Sequence, residues 1–62
     1  MNQHDLAEQD LKDAGYYLQR SGKKHDIWHN DENNCSIPLK RHDFDESDRR
    51  YINKEIKHNS RK

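Results

Sequence analysis

The spacing of the apolar residues changes twice along this chain, and those changes limit the folds open to it. In the first segment the apolar residues recur with the period of a helix, and between residues 16 and 39 they form three short groups rich in strand formers. Near the end, Ile52 and Ile56 again lie about one helical turn apart. The predicted order is therefore helix, three strands, helix.

A first helix is predicted over residues 3–14, where one face carries Leu6, Ala7, Leu11 and Ala14. Asn2 or Asp5 suits its N-cap, and Gly15 stands where a helix commonly ends.

A second helix is predicted over residues 45–57, because the acidic run Asp45–Asp48 suits the positive end of a helix dipole. Residues 58–62 are predicted to be a frayed basic tail.

Three strands are predicted over residues 16–20, 25–29 and 35–39, separated by the turn-forming segments Ser21-Gly22 and Asn30–Asn34. The fold class is then α+β, with a three-stranded antiparallel sheet and both helices covering one face. By topology alone, this α-β-β-β-α order is that of the double-stranded-RNA-binding-domain class.

The composition leaves other outcomes open. The chain has 62 residues, enough for one domain over residues 1–62, but only 27% are hydrophobic and 39% are charged. Such a composition also suits a disordered chain, or one that folds only on a partner. The periodic pattern and the five aromatic side chains favour a folded domain.

The charges are balanced overall but clustered locally. Twelve basic and twelve acidic residues give a formal net charge of zero. The basic clusters are candidate phosphate contacts, and their members are Arg20, Lys23, Lys24, Lys40 and Arg41.

Two other features bear on the protein class. The single cysteine excludes an internal disulfide and a cysteine-rich zinc site. Without an apolar run of membrane-spanning length or a signal-like start, we expect a cytoplasmic protein with no membrane partner.

His25 is the candidate catalytic residue. It follows Arg20, Lys23 and Lys24 at the start of a predicted strand. A histidine can exchange a proton near neutral pH, and neighbouring cations can stabilise charge on a phosphate. The alternative for these residues is a surface histidine in a basic turn.

No metal site or cofactor is predicted. His25 and His29 are four residues apart, which on a strand separates them by about 13 Å. No third ligand follows at a conventional spacing. The sequence also shows no Ser-His-Asp set that can be ordered for nucleophilic catalysis.

Residues 15–29 resemble the signature of the HicA family of small bacterial RNA-cleaving toxins. The shared pattern is a glycine and an aromatic residue opening a strand, an arginine, a turn ending in histidine, and an apolar–aromatic pair. Ile37-Pro38 resembles the end of that family's third strand, and residues 44–52 resemble the start of its last helix. Lys23-Lys24 stands where the family has Gly-Ser.

The resemblance implies a ribosome-independent mRNA interferase with a double-stranded-RNA-binding-like fold. It implies that His25 is catalytic and that a HicB-like antitoxin covers this site. The expected protein is then a metal-independent endoribonuclease toxin acting on mRNA. A non-catalytic RNA-binding module of the same fold remains the alternative.

Strand alternation makes this expectation specific. His25, Ile27 and His29 share one face of the predicted second strand, and Trp28 lies on the other. If His25 faces solvent, Trp28 is the core residue and Ile27 lies on the surface that meets RNA or a partner.

Overall fold

The computed structural model describes residues 2–61 and has the predicted order of elements. The elements are α1 (Gln3–Asp13), β1 (Tyr17–Ser21), β2 (His25–Asn30), β3 (Cys35–Lys40) and α2 (Glu46–Asn59). The strands form one antiparallel sheet in the order β1-β2-β3. The predicted α+β fold with the α-β-β-β-α layout is confirmed.

The ends of α1 are fixed by local hydrogen bonds. The Asn2 side chain accepts from the backbone N–H of Asp5 at 2.8 Å, so Asn2 is the N-cap. At the other end Gly15 has φ +92°, and the N–H of Tyr16 donates to the carbonyl of Leu11 at 2.9 Å. This arrangement is a Schellman motif, which turns the chain directly from α1 towards β1.

One apolar core joins the helices to one face of the sheet. Both helices, β2, β3 and the residue just before β1 contribute to it. Its members are Ala7, Leu11, Tyr16, Trp28, Ile37, Leu39 and Ile52. Trp28 is only 3% exposed, and His25 is exposed. The predicted assignment of Trp28 to the core and His25 to the solvent side is therefore confirmed.

Strand β1 begins one residue later than predicted and is exposed along its whole length. Tyr16 belongs to the end of the Schellman motif, where it packs into the core with Leu11. A register irregularity between Leu18 and Arg20 interrupts the pairing of β1 with β2. The helices pack mainly against each other, and α2 also packs against β3, so the edge strand β1 stays uncovered.

Helix α2 extends to Asn59, so the prediction of a frayed tail from residue 58 is wrong at its start. Asn59 is buried and its side-chain amide donates to the hydroxyl of Tyr16 at 3.1 Å. Asp45 and Asp48 form a capping box at the first turn. The hydrogen bond from Asn59 to Tyr16 extends the helix beyond its predicted end, and a local sequence pattern cannot reveal such a long-range contact.

Neither helix of the described part of the chain is long and apolar enough to cross a membrane.

Candidate functional site

The side of the sheet away from the helices, called here the outer face, carries His25 and its cross-strand neighbours. The register places His25 opposite Lys40, Ile27 opposite Pro38 and His29 opposite Ser36. Directly opposed residues in an antiparallel pair have Cβ atoms about 4.5–5.5 Å apart. Lys40 is therefore the nearest cross-strand cation to His25.

The β1–β2 hairpin places His25 at the end of the sheet. Lys23 and Lys24 form the tip, and the N–H of Gly22 donates to the carbonyl of His25 at 3.0 Å. A Cβ at Gly22 would lie 2.5 Å from that carbonyl oxygen. Only glycine therefore allows this close approach, so the position of His25 depends on Gly22.

Two clefts meet at His25. The first, called the helix cleft, has a volume of about 230 Å³ and is lined by His25, Lys40, Asp48 and Tyr51 together with apolar neighbours. The second, called the loop cleft, has a volume of about 280 Å³ and is lined by Lys24, His25, Lys40, His42 and Asp43. The His25 ring has no hydrogen-bond or ion-pair partner among residues 2–61. Its nitrogens are therefore available to a ligand.

The predicted phosphate-contacting cations divide into two groups. Arg20, Lys23 and Lys24 are exposed, and within the described chain none of them forms an ion pair. Arg20 lies opposite Ile27, which places it on the outer face. These three side chains are therefore the cations most available to a phosphate.

Lys40 and Arg41 already have partners. The ammonium of Lys40 lies 3.8 Å from Asp48 and donates to the carbonyl of Asp43 at 3.2 Å. Two guanidinium nitrogens of Arg41 converge on one Asp26 oxygen at 2.7 and 2.8 Å. Lys40 still lines both clefts. Arg41 instead holds its loop against β2.

His42, Asp48 and Tyr51 line the clefts although the sequence analysis did not select them. Tyr51 donates to Glu55 at 3.2 Å, and the nearby negative charge of Glu55 raises the pKa of the Tyr51 phenol. Tyr51 is therefore a neutral hydroxyl at the cleft. No spacing rule identifies His42, since it lies in the irregular segment between β3 and α2.

A Ser-His-Asp set that the sequence analysis could not order is present at the other end of the outer face. His29 Nδ1 lies 2.8 Å from the Ser36 hydroxyl, and Nε2 lies 3.4 Å from Asp31. Asp31 also accepts from Tyr17 at 3.2 Å and its side chain is 79% exposed. Both His29 nitrogens are thus engaged in a surface hydrogen-bond network, unlike those of His25.

One group with metal-ligand chemistry occurs in the described chain, on the first turns of α1. It consists of His4, Asp5 and Glu8, whose ligand atoms lie within 4.8 Å of one another. His4 Nδ1 already faces Glu8 at 3.3 Å, and the His4 ring packs edge-on against Phe44. None of the three residues lines a cleft with His25.

Comparisons of this chain with protein-family models, with curated proteins and with solved structures find no match. The features that bear on function are therefore the geometry of the site and the resemblance of residues 15–29, 37–38 and 44–52 to the HicA pattern.

Proposed function

We propose that this protein is a metal-independent endoribonuclease toxin, an mRNA interferase of the HicA type, with His25 as its catalytic residue. The observation that carries the proposal is the surroundings of His25. It is an exposed imidazole whose nitrogens have no partner within residues 2–61, placed where two clefts meet, opposite Lys40 and beside Lys24.

These groups suit cleavage of RNA by its own 2′-hydroxyl. The 2′-oxygen forms a bond to the adjacent phosphorus, and the bond from phosphorus to the 5′-oxygen breaks. His25 transfers a proton at one of these two oxygens. Lys24 and Lys40 stabilise the negative charge that develops on the phosphoryl oxygens. The products are a 2′,3′-cyclic phosphate and a 5′-hydroxyl.

The outer face is also the surface where we expect a HicB-like antitoxin to bind. Ile27 is half-buried there, Tyr17 is 43% exposed, and Arg20 adds a free positive charge. A partner with an apolar anchor and carboxylates would complement these groups and block His25. We place the activity in the cytoplasm, where mRNA is the substrate.

A non-catalytic RNA-binding module is the second candidate. The exposed cations Arg20, Lys23 and Lys24 favour it, because they are sufficient for phosphate contacts without any chemistry. The two candidates differ in whether the bound RNA is cut.

The deciding experiment incubates the purified chain with an end-labelled single-stranded RNA in excess chelator. We expect fragments that end in a 2′,3′-cyclic phosphate, and no cleavage of the same RNA with 2′-deoxy sugars. Adding the product of the neighbouring gene should suppress the cleavage. Binding without cleavage would support the module, and activity that returns only with added metal would contradict the mechanism.

A further inference from the structure

We propose that His42 is the second catalytic residue, the general acid that protonates the leaving 5′-oxygen while His25 acts as the base. This inference rests on the proposed function and names the second proton-transfer group, which that function leaves unassigned.

The first observation is the composition of the loop cleft. His25 from β2 and His42 from the segment after β3 line the same cavity, together with Lys24, Lys40 and Asp43. Both histidines are exposed, and in the described chain no side chain bonds to either ring. The cavity therefore offers one ligand two imidazoles and the ammonium group of Lys24, beside a Lys40 ammonium that also contacts Asp48 and the Asp43 carbonyl.

The second observation is that the segment carrying His42 is held in place on both sides. Arg41 binds Asp26 through two nitrogens, and its backbone N–H donates to the carbonyl of Lys24 at 3.2 Å. After His42, the Asp43 carbonyl accepts from the Lys40 ammonium.

Asp43 also has φ +54°, a left-handed conformation that aspartate adopts more readily than most residues other than glycine. The loop therefore positions His42 beside Lys24 and Lys40 instead of leaving it on a free chain.

The chemistry has a role for a second group on the opposite side of the phosphorus from His25. In the displacement, the attacking 2′-oxygen and the departing 5′-oxygen lie on opposite sides of the phosphorus. The reaction is accelerated when one side chain removes the 2′-proton while another supplies a proton to the 5′-oxygen. His25 takes the first proton and protonated His42 gives the second. His25 gains one proton from the RNA and His42 gives one proton to it, so the protons balance and no further reactant is needed.

The test uses two RNA substrates that differ in one atom. One has the ordinary 5′-oxygen at the cleavage site, and the other has sulfur there, whose thiolate leaves without protonation. His42→Ala should lose roughly a hundred- to ten-thousand-fold in cleavage rate on the oxygen substrate. On the sulfur substrate its rate should return to within about tenfold of the parent, because the acid is no longer needed.

Three further variants complete the design. His25→Ala should be impaired on both substrates, because removal of the 2′-proton is needed in each. His58→Ala, an exposed histidine on the last turn of α2, should match the parent on both. His42→Gln should behave like His42→Ala, since an amide forms hydrogen bonds but supplies no acid proton.

Equal loss by His42→Ala on both substrates would overturn the acid assignment, since it would indicate a role in binding or structure. Parent-like cleavage of the oxygen substrate by His42→Ala would overturn it too, and would leave the proposed function intact. Failure of the parent to cut either RNA would overturn both proposals.

Discussion

At the residue scale, the position of His25 depends on the glycine that closes its hairpin. Gly22→Ala would place a methyl group 2.5 Å from the His25 carbonyl oxygen, so the hairpin tip must shift. We expect a loss of about 1–3 kcal/mol in the free energy of unfolding, as for other overpacked sites. Cleavage by the folded protein should fall as well, because His25 moves relative to Lys40.

Chemical denaturation and RNA cleavage at matched folded fractions measure both effects. Ser21→Ala is the matched control, because Ser21 is the exposed preceding residue. Gly22→Ala with the stability and activity of the parent would contradict the role of this close approach.

The sequence predicted the individual residues of the site only in part. Alternation along β2 correctly separated His25 from Trp28, because one face of a strand is buried and the other is not. It gave no sign of His42, which lies in an irregular loop. Nor did it show that Asp26 binds Arg41, since that pair depends on how the loop folds back on β2.

At the element scale, an ion pair joins the two helices. Arg49 of α2 donates to Asp10 of α1 at 2.9 Å, and Asn53 donates to the same oxygen at 2.9 Å. The hydrogen bond from Arg49 is the largest cause that lowers the pKa of Asp10 below its ordinary value of 3.8, against the opposing effect of burial. The carboxylate form is therefore favoured in the folded state.

This shift predicts a dependence of stability on acid. The pKa of Asp10 is lower in the folded state than in the unfolded state. The contribution of Asp10 to the free energy of unfolding is therefore fully present above pH 3.8, and it is lost as the pH falls through the folded-state pKa. Asp10→Asn should be less stable than the parent at pH 7, and the difference should shrink below about pH 4.

Denaturation of both proteins at several pH values measures this difference. Glu32→Gln is the control, because Glu32 is exposed and forms no ion pair in the described chain. Parallel profiles for the parent and Asp10→Asn would show that the Asp10–Arg49 pair does not stabilise the fold.

Element order followed from the sequence, whereas element ends did not. Both helices carry an apolar stripe, and Gly15 marks the end of α1 in the sequence and in the structure. The start of β1 shifted because Tyr16 completes the Schellman motif. The end of α2 shifted because Asn59 finds a partner 43 residues away in the sequence. Such tertiary contacts have no local signature.

At the scale of the whole molecule, the residues that stabilise the fold and the residues of the candidate site lie on opposite faces of the sheet. The helices and one sheet face bury a single apolar core, while the outer face leaves His25 and the free cations open. A change at His25 should therefore alter activity without altering the fold. This separation allows a direct test of the central claim, that an exposed His25 catalyses RNA cleavage.

That test is the cleavage of a defined RNA by purified His25→Ala, measured beside its thermal denaturation. The variant should lose roughly a hundred- to ten-thousand-fold in rate, the contribution of positioned proton transfer. Its free energy of unfolding should stay within about 0.5 kcal/mol of the parent, since the side chain is exposed. His29→Ala, on the same strand face, should lose less activity because both of its ring nitrogens are engaged by Ser36 and Asp31. Cleavage by His25→Ala at the rate of the parent would contradict the account.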